Sequence, residues 1–366
     1  MRPARTTAAV AAALALTACS HQVTGKPQSQ ADISAMKVTA THKVPVHQAS
    51  GLSPDGHRIA VVGDSGLCVM GVDGSGQVCQ QTKALVPDSM HYVWSPDGAH
   101  IVVTDDYFRD LLEPDIWVMD TASGAVRDLT DDKVGKVAPG NAPANATLDL
   151  LPSWSSDSKN IYFMRQTGND REHVALESVP AAGGPVTKLG SISGNVASAG
   201  ALAFSPDGAK VAWTTGQSTG TVHVRDVKGG SETTLPSKKG FDRTLLSFSP
   251  DSKYLLVDSV VPYASYTSTS GDPTVLPVGG GKPESVASDS EASYPTWAPD
   301  SDAIAFVHLD FKHPPSQVRV VAEPGGKSRT LRKATELGAP PYRLNWAGHS
   351  ILDFENGEPC VLTLQG

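Results

Sequence analysis

The sequence predicts an all-β protein, a β-propeller of seven four-stranded blades, with six blades as the alternative. A phrase of the type Trp-Ser-Pro-Asp-Gly recurs along the chain, and its copies lie 42 to 60 residues apart, near the period of propeller blades. A short segment rich in β-branched residues follows each copy, as expected of a strand. The second residues of the seven copies are Ser53, Ser95, Ser155, Ser205, Ser249, Ala298 and Ala347.

The phrase itself is predicted to be the turn between the first and second strands of a blade, as at Trp94–Gly98. Proline presets the first turn torsion, Asp accepts hydrogen bonds from nearby backbone, and Gly supplies the positive φ that closes the hairpin. We therefore assign the Asp residues a structural role. Ser replaces the Gly at Ser158, Ser252 and Ser301, so those turns should be strained or use a different torsion.

The remaining strands follow in order. Arg58–Val62 is a predicted second strand and Ile116–Asp120 a predicted third strand, which a Gly-containing turn connects to a fourth. The last repeat ends with its third strand, Cys360–Leu364. Because an open sheet edge is unfavourable, we expect Lys37–Lys43 to be the fourth strand of that blade, so that an amino-terminal strand closes the ring.

The amino terminus has the features of a secretory signal. Two arginines precede a short apolar stretch, Ala8–Leu16, and the Leu-Thr-Ala-Cys ending at Cys19 resembles the bacterial lipobox. We expect Cys19 to be lipidated and to hold the protein, outside the cytoplasm, on a bacterial cell membrane. The predicted organisation is a lipoprotein signal peptide over 1–18, a flexible tether over 19–36 and one propeller domain over 37–366.

The mature chain is predicted to be acidic. Removal of residues 1–18 leaves 28 basic against 38 acidic side chains, a net charge of −10. Such a surface argues against nucleic-acid binding and against electrostatic adhesion to anionic lipid. Membrane attachment would therefore depend on the lipid anchor, and we expect a monomer.

Three cysteines follow Cys19. Cys68 and Cys79 flank Asp73-Gly74, and a two-residue hairpin turn there would place them opposite each other. In an oxidising compartment a disulfide is one outcome and two free buried thiols are the other. Cys360 has no evident partner.

The repeated Trp-Ser-Pro-Asp-Gly phrase, followed by an Ile-x-Phe strand, resembles the TolB-like family of WD-repeat-like propellers. The resemblance covers nearly all of residues 37–366. It implies a propeller fold and a role with partner proteins of the cell envelope. A predicted seventh blade, a lipid anchor and the lack of a separate amino-terminal domain distinguish this chain from the six-bladed periplasmic member of the family.

The long connections between predicted strands, residues 131–152 among them, all lie on the face opposite the phrase, and loops of this length on a rigid scaffold often carry function. Their aromatic and charged side chains suit a polar ligand or a protein partner. The alternative, solvated loops whose aromatics pack on their own blade, stays open for each residue. The candidate binding residues are Tyr107, Arg109, Asp110, Tyr263, Tyr266, His308, His313, Tyr342 and Arg343.

No complete catalytic set is evident. Gly216–Gly220 matches the nucleophile-elbow pattern around Ser218, but a strand rather than a helix is predicted to follow it, so we assign no catalytic residue. Some seven-bladed propeller lyases with related repeats bind a metal through histidines, but metal-ligand spacing is absent here, and we expect no metal and no cofactor. The histidines considered for such a site are His47, His91, His308 and His313.

The leading hypothesis is a non-enzymatic, membrane-anchored propeller that binds a protein, saccharide or peptide ligand of the cell envelope. The alternative is a carbohydrate-binding protein or a carbohydrate-active enzyme of the lyase or hydrolase type. Its site would be the channel mouth, near the starts of the first strands. The residues expected there include Arg243 and Tyr294.

Overall fold

The structure is a computed structural model in which the described part of the chain forms strands and turns and contains no helix that could span a membrane. The described residues are 33–45, 51–63, 65–83, 85, 87–105, 114–131, 147–167, 173–193, 202–215, 221–236, 243–260, 271–290, 292–308, 316–333, 344–355 and 358–365.

These residues form seven four-stranded antiparallel blades, which confirms the predicted seven-bladed propeller. Blade 1 contains β2 (Gly51–Leu52), β3 (Arg58–Gly63), β4 (Gly66–Gly71) and β5 (Val78–Cys79). Blade 2 contains β6 (Pro87–Trp94), β7 (His100–Asp105), β8 (Ile116–Asp120) and β9 (Val126–Asp128). Blade 3 contains β10 (Thr147–Trp154), β11 (Asn160–Thr167), β12 (His173–Pro180) and β13 (Thr187–Ser193). Blade 4 contains β14 (Leu202–Phe204), β15 (Lys210–Thr215), β16 (Thr221–Asp226) and β17 (Glu232–Pro236).

Blades 5 to 7 complete the ring. Blade 5 contains β18 (Arg243–Phe248), β19 (Tyr254–Val260), β20 (Gly271–Pro277) and β21 (Glu284–Ser285). Blade 6 contains β22 (Ser293–Trp297), β23 (Ile304–His308), β24 (Gln317–Val321) and β25 (Arg329–Lys333). Blade 7 contains β26 (Asn345–Ala347), β27 (Ser350–Glu355), β28 (Glu358–Gln365) and β1 (Lys37–Lys43).

The amino-terminal strand closes the last blade, as predicted. β1 pairs antiparallel with β28, so that Lys37 lies opposite Gln365 and Lys43 opposite Cys360. Arg329 of blade 6 holds the segment before β1, because its Nη1 donates hydrogen bonds to the carbonyls of Ile33 and Met36. The closure removes two open sheet edges.

The core is divided among the seven interfaces between neighbouring blades. Successive strand residues point to opposite sides of a blade, so each blade contributes to two apolar clusters. Ile59 of β3 is fully buried against blade 7, and Ala60 beside it is fully buried against blade 2. Tryptophans of the phrase add polar contacts across these interfaces: the indole N–H of Trp154 donates to the Val93 carbonyl at 2.9 Å.

The phrase forms a hydrogen-bonded turn. In blade 2 the hydroxyl of Ser95 donates to Asp97 Oδ1 at 2.6 Å, and the amide of Ala99 donates to the same oxygen at 2.9 Å. The amide of His100 donates to Ser95 Oγ at 2.9 Å. These contacts give the Asp the structural role expected of it.

The three turns with Ser in place of Gly keep the left-handed torsion. The φ angles of Ser158, Ser252 and Ser301 are 60°, 63° and 69°, close to the 69° of Gly98. Of the two predicted outcomes, the strained turn is therefore the one that occurs, since a side chain disfavours this region.

One predicted loop boundary is wrong. The sequence interpretation placed residues 131–152 in a single connection, but β10 begins at Thr147. The strand was missed because it is irregular: its pairing with β11 shifts between Leu150 and Ser153, and Leu151 has a φ of 56° directly before Pro152.

Candidate functional site

The two faces of the propeller differ in the lengths of their connections. We call the face that joins first to second and third to fourth strands the short-turn face; its longest connection is 322–328. The opposite, long-loop face joins second to third strands and each blade to the next. Its connections include 106–115, 129–146, 261–270 and 334–344. The long-loop face therefore contains most of the loop residues that could form a binding site.

Most of the predicted binding residues lie on those connections, outside the described residues. His308 is the exception, because it ends β23 on the long-loop face and is half-buried. The residues outside the described ranges are Tyr107, Arg109, Asp110, Tyr263, Tyr266, His313, Tyr342 and Arg343, together with Cys19 and His47.

His308 lines a cleft between blades 5 and 6. The cleft has a volume of about 500 Å³, and Pro273 of β20 and Ala292 lie on its wall. Its remaining described lining is the connection from Ser285 to Ser290. Three serines and one carboxylate within that connection make the wall polar, so the cleft suits a hydroxyl-rich or amide-rich ligand.

Asp289 supplies the carboxylate of this cleft. Burial by itself would raise its pKa, but the amide and hydroxyl of Ser328 donate to Oδ1 at 3.0 and 2.8 Å and hold the pKa below its ordinary value. A guanidinium nitrogen of Arg319 lies 3.6 Å from Oδ2 and adds to the lowering. Asp289 is therefore a charged acceptor at neutral pH, unsuited to act as a general acid.

Two innermost strands carry the same strained bulge. Tyr294 in β22, with a φ of 52°, precedes Pro295, as Leu151 precedes Pro152 in β10. Each lies three positions before the tryptophan of its phrase. Tyr294, expected at the channel mouth, is half-buried and packs partly against the apolar cluster between blades 6 and 7. Bulges of this kind turn side chains out of the regular alternation of the strand.

Three carboxylates are buried in the first and second strands: Asp149, Asp258 and Asp353 are 0%, 4% and 2% exposed. Sequence reasoning missed them, because none belongs to the repeat. Their common signal is an acidic residue inside an otherwise apolar strand, as in Leu148-Asp149-Leu150.

Arg165 binds the first of these carboxylates. Its Nε and Nη2 donate to the two oxygens of Asp149 at 2.7 and 2.5 Å, and its Nη1 lies 3.1 Å from Glu177 Oε2. Burial raises the pKa of Asp149 to about 6, the charge of Glu177 adds to the rise, and Arg165 opposes it. The cluster links three strands of blade 3 at the base of the long-loop face.

In blade 7, Arg332 Nη1 donates to Asp353 Oδ2 at 3.0 Å and lies 3.2 Å from the Cys360 sulfur, tying blade 6 to blade 7. Cys360 is buried and forms no disulfide with another described residue. Cys68 and Cys79 form a disulfide that joins β4 to β5.

A second cleft, of about 730 Å³, lies where β1 meets blade 1. Its described lining includes Thr41, His42, Lys43, His57, Gly71, Val72, Asp73 and Ser75. Among the described residues, no three His, Cys, Asp or Glu side chains converge as a group that could hold a metal ion, either in these clefts or elsewhere.

Comparison with known proteins shows the fold. No protein-family profile and no curated protein matches the chain. An oligogalacturonate lyase solved in complex with manganese is 12% identical over 89% of this chain and 90% of its own, with a TM-score of 0.59. The oligogalacturonate lyase of Vibrio parahaemolyticus is 10% identical over 88% and 93%, with a TM-score of 0.61.

A putative TolB from Agrobacterium tumefaciens is 17% identical over 89% of this chain and 96% of its own. Its TM-score of 0.42 is too low to support an argument about this chain. What the lyase structures and this chain share, at such low identity, is the β-propeller fold.

Proposed function

We propose that the protein is a membrane-tethered propeller that binds a protein or another ligand of the cell envelope through its long-loop face. The observation that carries the proposal is the difference between the faces. On the short-turn face the polar groups of tight turns hydrogen-bond to one another. The opposite face has long connections rich in aromatic and charged side chains.

The course of β1 supports an orientation in which the long-loop face lies away from the membrane. β28 runs from the long-loop face to the short-turn face and ends at Gln365, which pairs with Lys37. The chain therefore enters the propeller on the short-turn face. A tether that begins at a lipidated Cys19 would therefore join the propeller on the short-turn face. The long-loop face would then point away from the membrane, toward partners.

Capture from solubilised envelopes tests the proposal. Two long connections, 106–113 and 261–270, are replaced by Gly-Ser segments of equal length, and the control carries substitutions at Lys228 and Ser123 in exposed short turns. We expect one partner to be recovered with the wild-type and control proteins and lost with the loop variants. Equal recovery with all three proteins, or no specific recovery with any, contradicts the proposal.

A second candidate function is saccharide binding in the cleft between blades 5 and 6. Its support is the polar lining around His308 and the shared fold of two oligogalacturonate lyases along most of this chain. One of those proteins was solved with manganese, but a manganese site is not part of this proposal, because the described residues form no cluster of three metal ligands.

A binding assay with oligogalacturonates, with and without manganese, tests this candidate. We expect His308→Gln to weaken retention at least about tenfold, the loss typical of one buried hydrogen bond to a ligand. Lys228→Ser, on the other face, is the matched control. Absence of saccharide retention by the wild-type protein, or equal retention by the His308 variant, contradicts it.

A further inference from the structure

Blade 4 holds a hydrogen-bonded chain of three side chains that belongs to neither cleft. Thr215 Oγ1, at the end of β15, lies 2.8 Å from Nε2 of His223 in β16. Nδ1 of the same imidazole lies 2.5 Å from Glu232 Oε1 at the start of β17. A hydroxyl, an imidazole and a carboxylate therefore follow one another in the order that activates a nucleophile.

The imidazole is fixed from one side. Trp213 stacks on His223 with ring centroids 5.0 Å apart and an interplanar angle of 13°. The guanidinium of Arg225 lies 5.3 Å from the centre of the Trp213 ring, and its Nη2 donates to the Ser191 carbonyl of blade 3 at 2.5 Å. Packing of this kind holds the ring in the orientation that both of its hydrogen bonds require.

The indole N–H of Trp213 lies beside these three side chains. Trp213 is 3% exposed, and its indole N–H has no hydrogen-bond partner within the described part of the protein. Because that nitrogen is itself buried, a ligand does not reach it, and access to the site is through the two outer side chains. The side chains of His223 and Glu232 are 17% and 36% exposed, which leaves the site open to small molecules from solvent.

We propose that Thr215, His223 and Glu232 form a nucleophilic site that accepts acyl groups from small activated esters. Thr215 Oγ1 attacks the ester carbonyl carbon while His223 Nε2 takes the hydroxyl proton, and Glu232 stabilises the imidazolium. The carbon–oxygen bond to the leaving alcohol then breaks, and His223 returns the proton to that alcohol. Acyl-Thr215 remains until water, deprotonated by His223, hydrolyses it to a carboxylic acid and the free hydroxyl.

The site is independent of the nucleophile-elbow pattern. Ser218 lies in the connection between Thr215 and Thr221, outside the described residues, and β16 follows that connection where an elbow requires a helix. The structure therefore assigns the nucleophile to the strand end rather than to the patterned serine. A separate variant of Ser218 distinguishes the two.

The test is acetylation of the full chain by p-nitrophenyl acetate, followed by peptide mass spectrometry and by measurement of p-nitrophenolate release. We expect an acetyl group on Thr215 and its loss in Thr215→Val, with retention in Thr215→Ser and Ser218→Ala. His223→Gln should slow acetylation about 100-fold, the usual contribution of a general base, and Glu232→Gln at least about tenfold. Thr234→Val, an exposed threonine on the same side of blade 4, is the matched control.

Thermal unfolding of each variant shows that a loss of labelling is not a loss of fold. An acetyl group on Ser218 in place of Thr215 overturns the assignment of the nucleophile. The proposal as a whole is overturned by the absence of acetyl-Thr215 in the wild-type protein, or by undiminished acetylation in the folded His223 variant. The partner-capture experiment is unaffected by either result, so the two proposals fail separately.

Discussion

The backbone amide of Asp251 in blade 5 donates a hydrogen bond to Ser301 Oγ in blade 6 at 3.0 Å. Ser301 occupies the left-handed position that Gly holds in other copies of the phrase, with a φ of 69°. The same contact joins Asp97 to Ser158 at 3.1 Å. The serine hydroxyl thus offsets the strain of its own backbone with a hydrogen bond between blades.

Substitution of Ser301 should separate the strain of its left-handed backbone from the hydrogen bond that it accepts from Asp251. Ser301→Ala keeps the left-handed strain and loses the hydrogen bond, so we expect the free energy of unfolding to fall by about 1 kcal/mol. Ser301→Gly loses the bond but relieves the strain, so its stability should stay close to that of the wild-type protein. Urea unfolding of the three proteins measures the difference, and equal losses in both variants would show that the hydroxyl has no compensating role.

Closure by β1 should account for a large part of the stability. Deletion of the residues before Ile33 leaves Lys37–Lys43 and the segment that Arg329 binds in place, whereas deletion through Lys43 exposes β28 and the apolar cluster shared by blades 6 and 7. We expect the second truncation, and not the first, to lower the melting temperature by more than 10 °C, since several kcal/mol of packing are lost. An unchanged melting temperature after the longer deletion contradicts the closure.

Asp149 should make stability depend on pH in a defined window. Its folded pKa of about 6 lies above the ordinary value of 3.8, so the native state retains a proton that the unfolded chain releases. That contribution is fully present below about pH 4 and is lost as the pH rises through 6, by at most about 3 kcal/mol. Asp149→Asn should remove this loss, so the wild-type minus variant difference in unfolding free energy should fall between pH 4 and 7.

Asp157→Asn is the control for that experiment. A hydrogen bond from the hydroxyl of Ser155 is the main cause that lowers the pKa of Asp157, and a hydrogen bond from the amide of Lys159 adds to it. Its contribution to stability is present above the ordinary pKa and is lost only as the pH falls further, so its difference from the wild type should be flat from pH 4.5 to 7. A flat difference for Asp149→Asn as well would show that burial does not govern that carboxyl.

A thiol count tests the lipidation and the disulfide together. Cys68 and Cys79 are bonded to each other and Cys360 remains a thiol outside any described disulfide, so the denatured, unreduced protein should react once if Cys19 carries its thioether-linked lipid. After reduction it should react three times. Titration with a thiol reagent gives the number directly. A second reactive thiol before reduction that maps to Cys19 contradicts lipidation.

The repeat made the architecture predictable because each blade repeats one local pattern. The closing strand was predictable for a related reason: the last repeat lacks a fourth strand, and Lys37–Lys43 has the pattern to supply it. The symmetric positions of Cys68 and Cys79 about Asp73-Gly74 indicated that they could pair, although the sequence left two free thiols as an alternative. The predicted two-residue turn is wrong, because the connection between the two strands spans residues 72–77.

The polar clusters of the interior were not predictable in the same way. Asp149 meets Arg165 through the register of β10 with β11, and that register contains a bulge that no repeat specifies. The chain from Thr215 through His223 to Glu232 depends on diagonal contacts across two strand pairs at once. The spacing of residues in the sequence does not reveal such contacts, because they depend on the register in which the strands pair.

Photo-crosslinking in native cells tests most directly the claim that partners bind the face opposite the repeated phrase. A photoreactive amino acid replaces Tyr107, Tyr263 or Tyr342 on the long-loop face, or, in the matched set, Gly76, Ser123 or Lys228 in exposed short turns. We expect the same covalent adduct from the first set and none from the second. Adducts from the short-turn positions with none from the long-loop positions would contradict the claim.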